Sequence, residues 1–250
     1  MIVGLCSVIL WFVIFPKGLC KQRLTNHIND NSIQYFEQFT NITIPIMIHF
    51  DKELTLKLRK SSPHRTRYAM KTISKNVLKK VERLFLQPSL NQRIKLELID
   101  ARSLKRRLVN DTNISVYLKR YCTWQGERKN LRKMNYFSVL LTGLDMYHLN
   151  RMRKNWKATG RTYKGGVCST YFSCTLLEWK PRNIVYLLAH EIAHSLGVAH
   201  DDDARCLDKR HIMTRQYNPH RRPNTWSVCS RLATLKFLTS QASQCLKNVF

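Results

Sequence analysis

The chain has 250 residues and a formal net charge of +27 at pH 7, from 43 Lys and Arg against 16 Asp and Glu. That length suits one domain able to bury a substantial core, and the lack of internal repeats or low-complexity linkers excludes a repeat array or a string of modules. A field of this sign draws polyanions.

In chain order, the apolar run Val8–Phe15 is too short to span a bilayer and reads as part of a secretory signal over residues 1–20, with cleavage near Leu19 to Lys21. A membrane anchor is the competing reading, because no basic residue precedes the run. Residues 21–40 form a short N-terminal segment, and residues 41–250 read as one domain. Ile44 to Phe50 reads as a first strand, and Arg65 to Phe85 as a long helix with Met70, Ile73, Val77, Val81 and Leu84 at helical spacing. Ile94 to Leu98 alternates like a half-buried strand, while Tyr136 to Leu141 is apolar enough to be buried on both faces. This order predicts an α/β fold with helices packed on a mostly parallel sheet.

Three glycosylation sequons begin at Asn41, Asn110 and Asn113, and the last two are too close for both to be used readily. Apart from Cys6 and Cys20, six cysteines remain: Cys122, Cys168, Cys174, Cys206, Cys229 and Cys245. None forms the close pairs of a structural zinc site, and an even set suits three disulfides outside the cell, although fifteen pairings are open.

The most specific chemistry lies at Ala189-His190-Glu191-Ile192-Ala193-His194-Ser195-Leu196-Gly197-Val198-Ala199-His200-Asp201, followed by Ile212-Met213. Pro181, Asn183 and the apolar run from Ile184 predict a helix that sets His190 and His194 one turn apart on the same face. Gly197 can take positive φ and turn the chain so that His200 returns as a third ligand. Three imidazoles leave one corner of a zinc tetrahedron open to water, and Glu191, beside a ligand without being one, can take that water's proton and pass it to a leaving amine. The spacing therefore points to Zn2+-dependent hydrolysis of peptide bonds, with Glu191 catalytic and His190, His194 and His200 as metal ligands.

These residues resemble the metzincin metalloproteases. Asp201 after the third histidine matches the adamalysin or reprolysin branch, and Met213 its turn methionine, a floor under the ligands. Tyr121 to Gln125, Leu140 to Gly143, Gly166 to Cys168 with Cys174, and Trp226 to Ser230 are similar to the ADAMTS-type catalytic domain, and the compact secreted enzymes of tick saliva are similar too. The resemblance implies a zinc cleft between a larger N-terminal part and a small irregular C-terminal part that begins after Gly197. It also implies the pairing Cys122 with Cys174, Cys168 with Cys245, and Cys206 with Cys229.

Two departures from the family pattern stand out. The family's acidic calcium ligands correspond to Pro45 and Tyr136, so a structural calcium site is expected to be weakened or absent even though Asn248 fits its C-terminal ligand position. Residues 21–40 are too few for a prodomain, so latency is expected to be unused or supplied by a separate inhibitor. Cys20 as a zinc-blocking thiolate competes with its plainer reading as a signal-edge cysteine. No further module is expected after residue 250, so substrate capture is expected to fall to the catalytic domain itself.

Charge completes the reading. Between Lys57 and Lys164 there are 28 Lys or Arg against 6 Asp or Glu. With secretion expected, heparan sulfate or another glycosaminoglycan is a candidate partner alongside extracellular protein substrates of matrix or fibrinogen-like type. Neither nucleic acid nor stable membrane insertion is expected. Glu191, Asp201, Asp202, Asp203 and Asp208 form an acidic cluster in sequence, expected to offset the dication and favour basic peptides. The specificity pocket is expected between Met213 and Trp226, with Tyr217, Asn218 and Pro219 as candidates. The alternative function is a catalytically silent zinc-containing protein that binds polyanions or a receptor.

Overall fold

A computed structural model describes residues 42–156, 159–207, 210–216, 218 and 220–247. The signal, Cys20, the short N-terminal segment, the sequon at Asn41, Asp208, Tyr217, Pro219 and Asn248 lie outside the described residues.

Strand β1 (Ile42–Phe50) is rich in β-branched residues and almost wholly buried. It leads through Asp51 into helix α1 (Lys52–Ser61), whose backbone donor at Leu54 is capped by the Asp51 carboxylate at 2.7 Å. The same carboxylate accepts from the Gly143 N–H at 3.1 Å and from the Thr142 hydroxyl, which pins the end of β1 to the end of β3 (Phe137–Thr142). Helix α1 was not anticipated, because it buries only Leu54 and so carries almost no apolar period.

Helix α2 (Thr66–Phe85) follows, burying Met70, Val77 and Val81 of the expected stripe, while Ile73 and Leu84 are only partly buried and Leu78 and Phe85 face the core beside them; β2 (Ile94–Ser103) runs beyond the expected Leu98. A second unanticipated helix, α3 (Ile114–Arg132), buries residues at the right spacing, but its stripe includes Gln125 and Lys129. A small antiparallel ribbon, β4 (His148–Asn150) and β5 (Arg153–Asn155), precedes β6 (Gly160–Thr162), β7 (Cys174–Glu178) and α4 (Ile184–Ser195).

The main sheet has the order β2-β1-β3-β7-β6, parallel throughout except for β6, which runs antiparallel to β7 at one edge. Residues of β3 alternate between two cores: Phe137, Val139 and Leu141 pack with α2 and α4, while Leu140 packs with Tyr117 and Tyr121 of α3. The expected mostly parallel α/β architecture is thus observed. Described residues from Val198 to Ser227 include no helix or strand, as expected for the irregular part, before α5 (Val228–Thr239) and a 3-10 turn over Gln241–Leu246. Trp226 ties this part back to α2 by donating its indole N–H to the Leu84 carbonyl at 2.7 Å.

The cysteines pair as the resemblance implies: Cys122–Cys174 joins α3 to β7, Cys168–Cys245 holds the 3-10 turn, and Cys206–Cys229 fastens the irregular part to α5. Asn113 is buried and its side-chain oxygen accepts from the Ser115 N–H at 3.0 Å as the cap of α3. Of the adjacent sequon pair, Asn110 is the exposed member.

Candidate metal centre

Helix α4 carries His190 and His194 one turn apart, and its end explains how His200 joins them. Gly197 has φ of 83°, its N–H donates to the His194 carbonyl at 2.9 Å, and the Val198 N–H donates to Ala193 at 3.1 Å. This pair of bonds closes the helix and reverses the chain within two residues. The Nε2 of His200 then lies 3.2 Å from that of His190 and 3.1 Å from that of His194.

Tautomers follow from the other ring nitrogens. His190 Nδ1 lies 2.8 Å from the Ile212 carbonyl and His194 Nδ1 lies 2.7 Å from the Val198 carbonyl. A carbonyl can only accept, so both Nδ1 atoms carry the proton and both Nε2 lone pairs face the shared centre. Burial and mutual repulsion keep the rings neutral, with His190 pushed down to about 3, His194 to about 4 and His200 below its usual value. Lone pairs converging at this distance repel unless a cation lies between them. Ligands at zinc–nitrogen distances would stand ~3.3–3.4 Å apart on a tetrahedron, so the cluster suits Zn2+.

Glu191 is 6% exposed, and its Oε2 is buried without a hydrogen-bond partner among the described residues. In the protein alone, burial lifts its carboxyl to about 8, with the Arg161 charge opposing the shift. A neighbouring dication would oppose it further. A Cβ built on Gly160 of β6 would come within 2.8 Å of Glu191 Oε1, so the sheet's edge strand runs directly past this carboxylate. Sequence reasoning missed β6, since three residues with no periodicity leave no signal.

Met213 is fully buried, and its carbonyl accepts from the Asp201 N–H at 2.9 Å. Together with the Ile212 carbonyl on His190, this ties the methionine turn to the triad at two points.

The expected acidic patch does not form among the described residues. Asp201 turns inward, where its Oδ1 accepts from the hydroxyls of Ser227 and Ser230, Asp202 pairs with Arg215, and Asp203 pairs with Arg205 at 3.0 Å. Spacing counts acids without saying which way they point or which cations meet them. Asn218, the described member of the specificity candidates, is exposed, and its side-chain oxygen accepts from the His220 N–H at 2.9 Å. Pro45 and Tyr136 do share one cavity of about 280 Å³ with Cys245, but the described residues lining it supply no carboxylate. They supply instead Lys129, 3% exposed, whose ammonium donates to the Ser173 carbonyl at 2.8 Å.

Residues 44–249 match the profile of the Reprolysin (M12B) family of zinc metalloproteases. Among curated proteins the chain is 32% identical over 137 residues to human "A disintegrin and metalloproteinase with thrombospondin motifs 20", covering 52% of this chain and 7% of that protein. It is 29% identical over 195 residues to human "A disintegrin and metalloproteinase with thrombospondin motifs 19" and 28% identical over 194 to its mouse counterpart, in both cases covering 68% of this chain and 16% of the relative. The chain therefore matches less than a fifth of the length of these relatives. It belongs to the reprolysin family, whose enzyme class is the zinc metalloendopeptidases.

Proposed function

We propose that this chain is a secreted enzyme that cuts internal peptide bonds of extracellular proteins, matrix components or fibrinogen-like substrates among them. His190, His194 and His200 hold the zinc, and Glu191 is the general base. The observation that carries the reading is the convergence of three Nε2 atoms, two with their Nδ1 protons committed to carbonyls, with the next residue after His190 contributing a buried carboxylate oxygen that has no partner among the described residues. Bound zinc would polarise the scissile carbonyl and acidify water.

The chain's own residues do the rest. Glu191 accepts the proton from attacking water at its carboxylate and returns it to the leaving nitrogen. The carbonyls of Ile212 and Val198 keep the first two rings in register. The free edge of β6 offers backbone donors and acceptors to an extended peptide, which sets the scissile bond beside Glu191. Because the chain joins covalently through three disulfides and no described helix is long and apolar enough to cross a membrane, the reading is of an enzyme working in an oxidising compartment. The domain is read as 41–250 behind a signal over 1–20, with Asn110 as a glycan acceptor.

The cavity walled by Pro45, Tyr136 and buried Lys129 gives a hard cation no carboxylate, which supports stability that does not depend on calcium. A thermal midpoint unmoved by micromolar calcium agrees with this; an upward shift contradicts it. The basic lobe supports a second role, retention on heparan sulfate or another glycosaminoglycan. Cleavage of a peptide library, abolished by chelation and by Glu191→Gln, tests the enzyme reading. Bound zinc without cleavage would favour a catalytically silent binding protein.

A further inference from the structure

At the edge of the sheet opposite β6, a cleft of about 400 Å³ opens between β2 and α3. Arg102, Lys105 and Arg106 stand on one side, and Arg128 and Arg132 of α3 on the other. No acidic residue lines it among the described residues. Arg102 is held by Asp100 at 2.7 Å, whereas Lys105, Arg106, Arg128 and Arg132 form no ion pair with another described residue. Four exposed, unneutralised cations facing one concavity repel one another, and their field is focused by the low-dielectric wall behind them.

The floor is different in kind. His49 is buried, with Nδ1 2.9 Å from the Tyr121 hydroxyl and Nε2 3.5 Å from the Gln125 amide nitrogen. Gln125 Oε1 in turn accepts from Tyr136 at 3.0 Å. This network is neutral and holds the floor rigid, since burial and the charges of Arg102 and Arg128 keep His49 unprotonated, near 3. Trp124, half-buried, forms a flat wall on which the Arg128 guanidinium stacks at 4.3 Å.

We propose that this cleft is a docking site for a sulfated glycosaminoglycan, with sulfate groups on Lys105, Arg106, Arg128 and Arg132. The proposal deepens the retention role above, and it rests on the extracellular reading, in which sulfated glycans are the abundant polyanions. Exposed cations on both sides of one concavity, with Arg128 held in place by its stacking on Trp124, suit a chain that carries sulfates at regular intervals. Two of the four cations lie one helical turn apart on α3, which spaces them along one line of a bound strand. Because β2 and β6 lie at opposite edges of the sheet, a docked glycan leaves the peptide-binding edge free.

The test is isothermal titration of a heparin octasaccharide, and of its fully desulfated form, into the zinc-loaded chain. The variants are Arg128→Ser with Arg132→Ser in the cleft and Lys75→Ser with Lys79→Ser on exposed α2, which remove equal charge. The expected result is at least about a tenfold loss in the cleft variant against about twofold on α2, with a shallower salt dependence because fewer counter-ions are released. Both variants retain the wild-type thermal midpoint and zinc content. Equal losses in both variants, equal binding of the desulfated sugar, equally effective competition by single-stranded DNA, or no binding by wild type would each overturn the proposal. Peptide cleavage is read separately: octasaccharide binding that persists in a chain without peptidase activity leaves this site standing and removes the enzyme reading alone.

Discussion

The two edges of the main sheet present opposite chemistry. Near β6, three neutral imidazoles converge on one centre, and Glu191, next in sequence to the first of them, keeps a buried carboxylate oxygen without a hydrogen-bond partner among the described residues. Beside β2, four cations share a concavity lined by no acid among the described residues. The first site is built from an eleven-residue stretch of one helix and its turn, so its geometry is local and stiff. The second draws on residues from β1, β2 and α3, so its charge depends on tertiary folding. The contrast predicts that single substitutions are decisive at the first edge and graded at the second.

The strongest effect should come from Glu191→Gln, which keeps size and zinc content but removes the proton acceptor. Its kcat should fall by roughly 10²–10⁴-fold with KM little changed. A fall below threefold would mean that Glu191 is not the base, and the contrast between decisive and graded edges would break. His194→Ala should lose the metal as well, which elemental analysis of the purified protein would register.

Next in size is the tether between the two parts of the fold. Replacing Cys168 and Cys245 with serine opens a link spanning 77 positions in sequence, and a cost of about 2–5 kcal/mol in denaturant unfolding is expected. Activity and octasaccharide binding should survive together at low temperature, since the tether touches neither edge.

Gly197→Ala sharpens the comparison by testing how local the zinc site is. The position has φ of 83°, and a Cβ there would meet the Phe237 ring carbon Cδ2 at 3.1 Å. The expected cost is about 1–3 kcal/mol, with a larger loss of zinc affinity than of octasaccharide affinity because His200 hangs from this turn. Equal loss at both edges would show that the turn matters only for global stability.

The smallest effect is at the basic edge. Although partial burial opposes it, hydrogen bonds from Arg102 and the Ala101 N–H hold the Asp100 carboxyl at about 2, below its usual 3.8. A depressed carboxylate contributes stability that is present above about 4 and lost as pH falls through about 2. Asp100→Asn should therefore be less stable than wild type near neutral pH by about 1 kcal/mol, a modest figure because its partners are solvent-screened, and the difference should vanish toward the acid end. Urea midpoints across pH would record it; a difference that persists at the acid end would assign the effect to packing instead.

What the sequence disclosed follows the same division. The histidine triad was legible because helical spacing and one glycine bring its three rings together within eleven residues. Helix α2 was legible from its helical apolar spacing, and strand β3 from a short continuous apolar run buried on both faces. Helix α3 was not, since Gln125 and Lys129 occupy its inner stripe, one to hydrogen-bond His49 and Tyr136, the other to reach the Ser173 carbonyl. The acidic cluster misled because Asp201 points inward to two serines while its neighbours meet arginines. Asn113 belongs to a sequon, and its role as the cap of α3 showed only in the structure. The basic excess was plain from composition, but its focus in one cleft required β2 and α3 to be brought side by side.

The most direct measurement of the central claim is peptide-library cleavage by the mature chain with its three disulfides formed, run beside Glu191→Gln and a zinc chelator. The account predicts cuts at internal bonds in wild type, lost in both controls and restored by zinc in the chelated sample. A wild-type chain that holds zinc through its three histidines and cuts nothing would contradict it.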